Sequence, residues 1–216
     1  MTQERRKMQK MSLKSYDEAT RYITEECLRI YKEKETIQST ELALHLMNFP
    51  QLKMHCPQHH YLIPASMLTS AYKIQGRPVE MLQNDLMEAM MRAKNVLPAF
   101  CGLYGSCGAA VGLGIYASIL LDSDQYSVHT WALTNKIVGE CLLKISEIDG
   151  PRCCKRSSYI ALQVGEKFSK EEFGLDLVAA EPIQCTHYQN NTEGCKKEKC
   201  PFFPASEIEG SNSWQK

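Results

Sequence analysis

Between Cys107 and Leu121 the chain runs for fifteen residues without a charged side chain, and this stretch constrains the fold more than any other. As a helix it would be about 22 Å long, short of the roughly 30 Å of hydrocarbon that a membrane span must cross. Gly108, Gly112 and Gly114 interrupt it further. It therefore reads as a helix buried in a protein core, which the remaining segments must cover. Gly108 and Gly112 stand four residues apart, on one helical face, where a second backbone can approach closely.

The flanking segments carry helical rather than alternating periodicity. Tyr16 to Lys34 places Ala19, Tyr22, Ile23, Cys27, Ile30 and Tyr31 on one face. Ser39 or Thr40 caps a second helix that ends before Pro50. Met54 to Tyr61 reads as a loop or strained turn, followed by a helix from Pro64, with proline in its first turn, to Ile74. Pro78 opens a fourth helix with a Met-rich buried side, and Pro98 stops it. Cys101 to Gly105 is expected as a short loop, with Ser106 as cap for the apolar helix. Val128 to Ile148 and Arg152 to about Phe168 complete the set, and a short strand is expected at Leu177 to Ala179. Cys27 and Cys141 fall on apolar stripes and read as core, while His45 and His129 read as structural or exposed. The expected fold is all-α, with about seven helices over residues 15–174 and a small irregular cysteine-rich segment at 175–205 packed on them. Residues 1–14 read as a flexible basic tail and 206–216 as a second flexible tail.

Twenty-five basic residues balance twenty-five acidic ones, so no global charge footprint points to nucleic acid or an anionic membrane. The first residues lack a secretory signal pattern, so a cytoplasmic chain is expected. In that reducing compartment ten cysteines indicate metal ligation or thiol chemistry rather than disulfides. The triplet Asn190-Asn191-Thr192 is then a chance glycosylation pattern. No dinucleotide fingerprint, phosphate loop, nucleophile elbow or metalloprotease pattern occurs.

Four constellations can carry chemistry. Cys101 and Cys107 bracket a glycine-rich turn, with Cys107 at a helix start, where free N–H groups and the helix dipole favour a thiolate or bound anion; plain packing is the alternative. Cys153 and Cys154 open another helix beside Arg152, Lys155 and Arg156, whose charge is expected to lower thiol pKa or to balance a cluster. Adjacent helical residues point about 100° apart, so the two thiols are not expected to serve one iron of an ordinary cubane. Cys185, Cys195 and Cys200 lie with His187 in a polar segment where a metal could supply the missing folding energy, or they are unconnected thiols. His55, His59 and His60 cluster around Cys56-Pro57 and suit metal ligation, acid–base work or loop hydrogen bonding.

Pro57-Gln-His59-His60-Tyr-Leu-Ile-Pro64-Ala, Cys101-Gly with Gly105-Ser-Cys107-Gly-Ala-Ala, Gly150-Pro-Arg-Cys-Cys-Lys-Arg156, and Cys185 with Cys195 and Cys200-Pro-Phe together resemble a cysteine-rich prokaryotic family catalogued as a domain of unknown function. The likeness covers roughly residues 50–205 and implies an anaerobic setting and an occasional methyltransferase-like partner. A second, fainter likeness is to redox-active proteins with a Gly-Cys-Ala-x-x-Gly helix start. Neither supplies a reaction.

The leading expectation is an iron–sulfur protein acting in redox, sulfur-transfer or lyase chemistry on a small molecule. Cys107, Cys153, Cys154, Cys185, Cys195 and Cys200 are its metal-ligand candidates, around a common centre or two. Cys101, Cys107, Cys153, Cys154 and Arg152 are the cofactor-binding candidates, and His59, His60 and Cys154 the catalytic ones. A zinc-stabilised binding module without chemistry of its own, and a metal-free dithiol protein using Cys101 and Cys107 or the Cys153-Cys154 pair, are the alternatives.

Overall fold

A computed structural model describes residues 17–177, 182–191 and 194–207. These residues include eight α-helices and two short 3-10 turns, with 205–207 also helical, and no strand occurs among them. The helices are α1 (Glu18–Glu33), α2 (Ser39–Met47), α3 (Gln58–Ile74), α4 (Val79–Lys94), α5 (Phe100–Tyr104), α6 (Gly108–Leu120), α7 (His129–Ser146) and α8 (Cys154–Phe173). The protein is all-α, and no described helix is long and apolar enough to cross a membrane.

The apolar stretch is the core helix α6, packed against α3, α4, α7 and α8. Its most extensive neighbour is α3, which is buried continuously from Tyr61 to Tyr72. An added Cβ at Gly112 would lie 2.8 Å from the His60 carbonyl oxygen and 3.1 Å from Pro64 Cδ. That carbonyl is the one that Pro64, lacking an N–H, cannot serve from inside α3. The missing bond and the glycine thus coincide, and the two backbones come close where each is stripped.

Several boundaries differ from the sequence reading. Helix α3 starts at Gln58, so Pro64 is internal and the expected loop at 54–61 supplies the helix's first turn. A proline costs one internal hydrogen bond, and burial of most of α3 outweighs it. The expected loop at Cys101 to Gly105 is the short helix α5, bounded by left-handed Ala99 and Gly105, with none of its residues buried. Cys107, not Ser106, is the N-cap of α6, and its side chain makes no capping bond. At the start of α2, Glu166 on α8 does the capping from across the fold: it accepts from Ser39 Oγ at 2.6 Å, Thr40 N at 3.1 Å and Thr40 Oγ1 at 2.6 Å.

Helix α8 runs past Phe168 because Phe168 and Phe173 pack edge to face at 5.5 Å, and Gly174 closes it in the left-handed conformation. The C-terminal segment folds back onto α8. Phe202 is buried and meets Tyr159 edge-on at 5.2 Å, and the Cys185 N–H donates to the Phe202 carbonyl at 2.7 Å. Of the strand expected at Leu177 to Ala179, only Leu177 is described, as buried coil. The expected tails at 1–14 and 206–216 lie outside the described residues apart from 206–207. Cys27 and Cys141 are fully buried core, as their stripes predict.

Candidate functional site

Helices α3, α6 and α8 all begin at one cavity of about 610 Å³, and each brings a cysteine to its wall. Cys56 precedes α3, Cys107 is the N-cap of α6, and Cys154 is the first residue of α8; Cys101 joins them from α5. His55, His59, His60, Arg152 and Arg156 also line it, and no aspartate or glutamate does among the described residues. The first amides of a helix have no intrahelical acceptor and carry the positive end of its dipole. With the α6 cap unfilled and Gly108 and Ala109 in the wall, the cavity is set up for negative charge.

The histidines are held by backbone carbonyls. His59 Nδ1 lies 3.1 Å from the Cys56 carbonyl and 3.3 Å from its Sγ, and His60 Nδ1 lies 3.2 Å from the Val96 carbonyl. A carbonyl can only accept, so each Nδ1 carries the proton and each Nε2 presents a lone pair. His59 is 1 % exposed, and its Nε2 is buried with no protein partner. The His60 ring occupies the space that Gly108 leaves, since a Cβ there would fall within 2.2 Å of it. His55 Nε2 meets Asn191 Oδ1 at 3.2 Å and ties the cavity to the C-terminal segment.

Burial dominates the titration of these groups. It lowers His59 to about 3, with Lys155 pushing the same way. It raises the Cys56 thiol, opposed by N–H groups of Gln58 and His59, and pushes Cys154 up to about 11 against the pull of Arg152. Cys56 and His59 therefore rest as thiol and neutral imidazole, not as an ion pair. The sequence reading expected the flanking cations to lower Cys153 and Cys154. Both are raised instead, because desolvation of the thiolate exceeds the attraction of neighbouring charges.

A single centre for all the sulfurs was one of the two expected arrangements, and the thiols divide between two places. Cys107 and Cys154 face the cavity, whereas Cys153, Cys185, Cys195 and Cys200 line a separate void of about 20 Å³. Cys153 is the extended N-cap (φ −137°, ψ 110°) and Cys154 the first helical residue, and the two side chains leave the start of α8 toward different spaces. Tyr159, Tyr188 and Phe203 close the void. Among the described residues no three His, Cys, Asp or Glu side chains already stand at the spacing of one metal ion's ligands. All ten cysteines are free thiols.

Lys155 lies between the two groups and is 1 % exposed. Its Nζ donates to the Met47 carbonyl at 3.1 Å. Burial lowers it to about 8, while the surrounding thiols of Cys56, Cys185, Cys153 and Cys154 hold it up. Sequence reasoning saw Lys155 only as one of three cations near a helix start. It also passed over Cys56 as a member of the thiol set, although the Cys-Pro pair before a helix was the available signal.

A family model described as "Family of unknown function (DUF5714)" matches residues 23–203. Neither a curated protein nor a solved structure matches the chain.

Proposed function

This chain belongs to that family, whose description carries no reaction, and we propose from the geometry that it is an iron–sulfur protein with the cluster in the cavity. Cys56, Cys107 and Cys154 are the ligands, and Arg152 with His60 Nε2 meets a small anionic substrate, while His59 backs the site from within the core. One observation carries the reading: three long helices start at one cavity lined by no carboxylate among the described residues, and each delivers a thiol there. A cluster is a bulky anion that gains from N–H groups around its sulfides and needs more room than a single ion. Bound by three thiolates, it offers one iron to a substrate carboxylate or sulfur, which suits lyase or sulfur-transfer chemistry.

The protein's own contribution is positioning. Arg152 attracts the anion, the His60 Nε2 lone pair accepts a hydrogen bond from it, and Phe100, Ile145 and Ile148 limit water. Cys101 separates two versions of this reading. As a fourth ligand it would leave no open iron and make the protein an electron carrier.

The test is purification and reconstitution without oxygen, followed by iron and acid-labile sulfide analysis and an absorption spectrum. Iron and sulfide are expected, and are expected to be lost in Cys107→Ser and Cys154→Ser but kept in Cys27→Ala. Protein that takes up neither iron nor sulfide, or that holds zinc alone at these thiols without visible absorption, refutes the proposal.

A further inference from the structure

The four sulfurs that turn away from the cavity have a different environment. Cys153 comes from the start of α8, and Cys185, Cys195 and Cys200 come from the C-terminal segment. The space between them, about 20 Å³, is that of one small occupant, since a water needs roughly 10–15 Å³ by the same measure. A four-iron cluster does not fit it.

Three of these sulfurs accept backbone N–H groups from just ahead in the chain. Arg156 N lies 3.5 Å from Cys153 Sγ, Lys197 N lies 3.5 Å from Cys195 Sγ, and the His187 N–H points to Cys185. Backbone N–H groups thus sit against three of the four sulfurs. The Tyr159 hydroxyl adds a weak contact to Cys185 Sγ at 3.9 Å. No carboxylate lines the void among the described residues, Arg156 and Lys196 line it, and the buried Lys155 interacts with Cys153 and Cys185. A divalent ion with four thiolates carries two net negative charges, which these cations offset.

The segment also needs a fastening. Among the described residues of 182–207 the buried apolar groups are Ile183, Cys185, Phe202 and Pro204, so hydrophobic burial alone gives it little stability. It contains no disulfide.

We propose that Cys153, Cys185, Cys195 and Cys200 form a separate tetrathiolate site for a single zinc-type ion, which fastens the C-terminal segment to the start of α8. Binding draws the four sulfurs in to about 2.3 Å from the ion and exchanges thiol protons for it. Because Cys153 and Cys154 are consecutive, the ion also fixes where Cys154 enters the cavity. The site is independent of the cluster proposal, because the two share no ligand.

Cobalt(II) and zinc are the probes, added to the full-length protein after chelation. One equivalent of cobalt is expected to give the intense visible bands of a tetrahedral thiolate site and to be displaced by one equivalent of zinc. Cys195→Ser and Cys200→Ser are expected to weaken binding by at least ~100-fold, whereas Cys107→Ser leaves it intact. In the wild-type chain, chelation is expected to expose residues 182–207 to protease, and zinc to restore protection. Absence of a thiolate spectrum, undiminished binding in the Cys195→Ser, Cys200→Ser double variant, or iron with sulfide at these four thiols overturns the proposal. If the variants do not fold, the chelation and proteolysis results on the wild-type chain decide it.

Discussion

Two glycine-to-alanine substitutions in helix interiors should change stability in opposite directions. At Gly139 on α7 an added Cβ meets nothing within 4 Å. Only the backbone term operates there, and alanine is favoured by about 0.5–1 kcal/mol. At Gly112 the same methyl would sit 2.8 Å from the His60 oxygen and 3.1 Å from both Ile63 Cβ and Pro64 Cδ. Carbon–carbon contacts are optimal at about 3.5–4.0 Å, so α3 and α6 must move apart by several tenths of an ångström. The nearest obstacle is backbone, which cannot swing aside. Overpacking of this kind costs about 1–3 kcal/mol, and the helix preference returns about 1. The net expectation for Gly112→Ala is a loss of about 1 kcal/mol, within a range of about 0–2, or a fall in Tm of about 3 °C for a chain of this size. Gly139→Ala should raise Tm by about 2 °C. Urea unfolding of both variants, with unchanged m-values, is the assay. If Gly112→Ala is stabilised as much as Gly139→Ala, the close approach of α3 and α6 is not what selects glycine.

Two carboxylates should give opposite pH dependences. Glu26 pairs with Arg29 and His45, and chiefly the Arg29 bond lowers it from 4.5 to about 2. Its contribution is present above pH 4.5 and lost as pH falls toward 2; Glu26→Gln should flatten that part of the stability curve and cost under about 1 kcal/mol at neutral pH. Glu166 is raised by burial despite its bonds to Ser39 and Thr40. The fold favours its protonated form, so that stability is present below 4.5 and lost as pH rises through the raised value; Glu166→Gln should remove this slope. Glu166→Ala leaves the start of α2 and two buried hydroxyls without their acceptor and should cost about 2–3 kcal/mol by chemical denaturation.

Much of the architecture is legible in the chain because helical periodicity is local. The stripes on α1, α4 and α7, and the core positions of Cys27 and Cys141, follow from spacing alone. The failures share a cause. Pro64 looks like a helix start because its missing hydrogen bond is visible in the sequence, whereas the burial of α3 that overrides it is not. Ser39 and Thr40 look like self-sufficient caps, but the acceptor at that helix start is Glu166, about 126 residues away along the chain.

The candidate sites divide in the same way. Sequence alone singled out thiols at glycine-marked or cation-flanked helix starts and thiols in a segment with little hydrocarbon, and it passed over Cys56. The helical angle of about 100° per residue gave the expectation that 153 and 154 would not serve one iron of an ordinary cubane, but Cys153 is the extended N-cap and lies outside the helix. Tertiary structure decided the partners. It brought Cys56 and Cys107 to Cys154 by packing α3, α6 and α8 start to start, and sent Cys153 to the C-terminal thiols. It also buried Lys155 between the two groups. Such convergence depends on how helices cross, which is set by side chains from every layer of the core and leaves no periodic trace in any one segment.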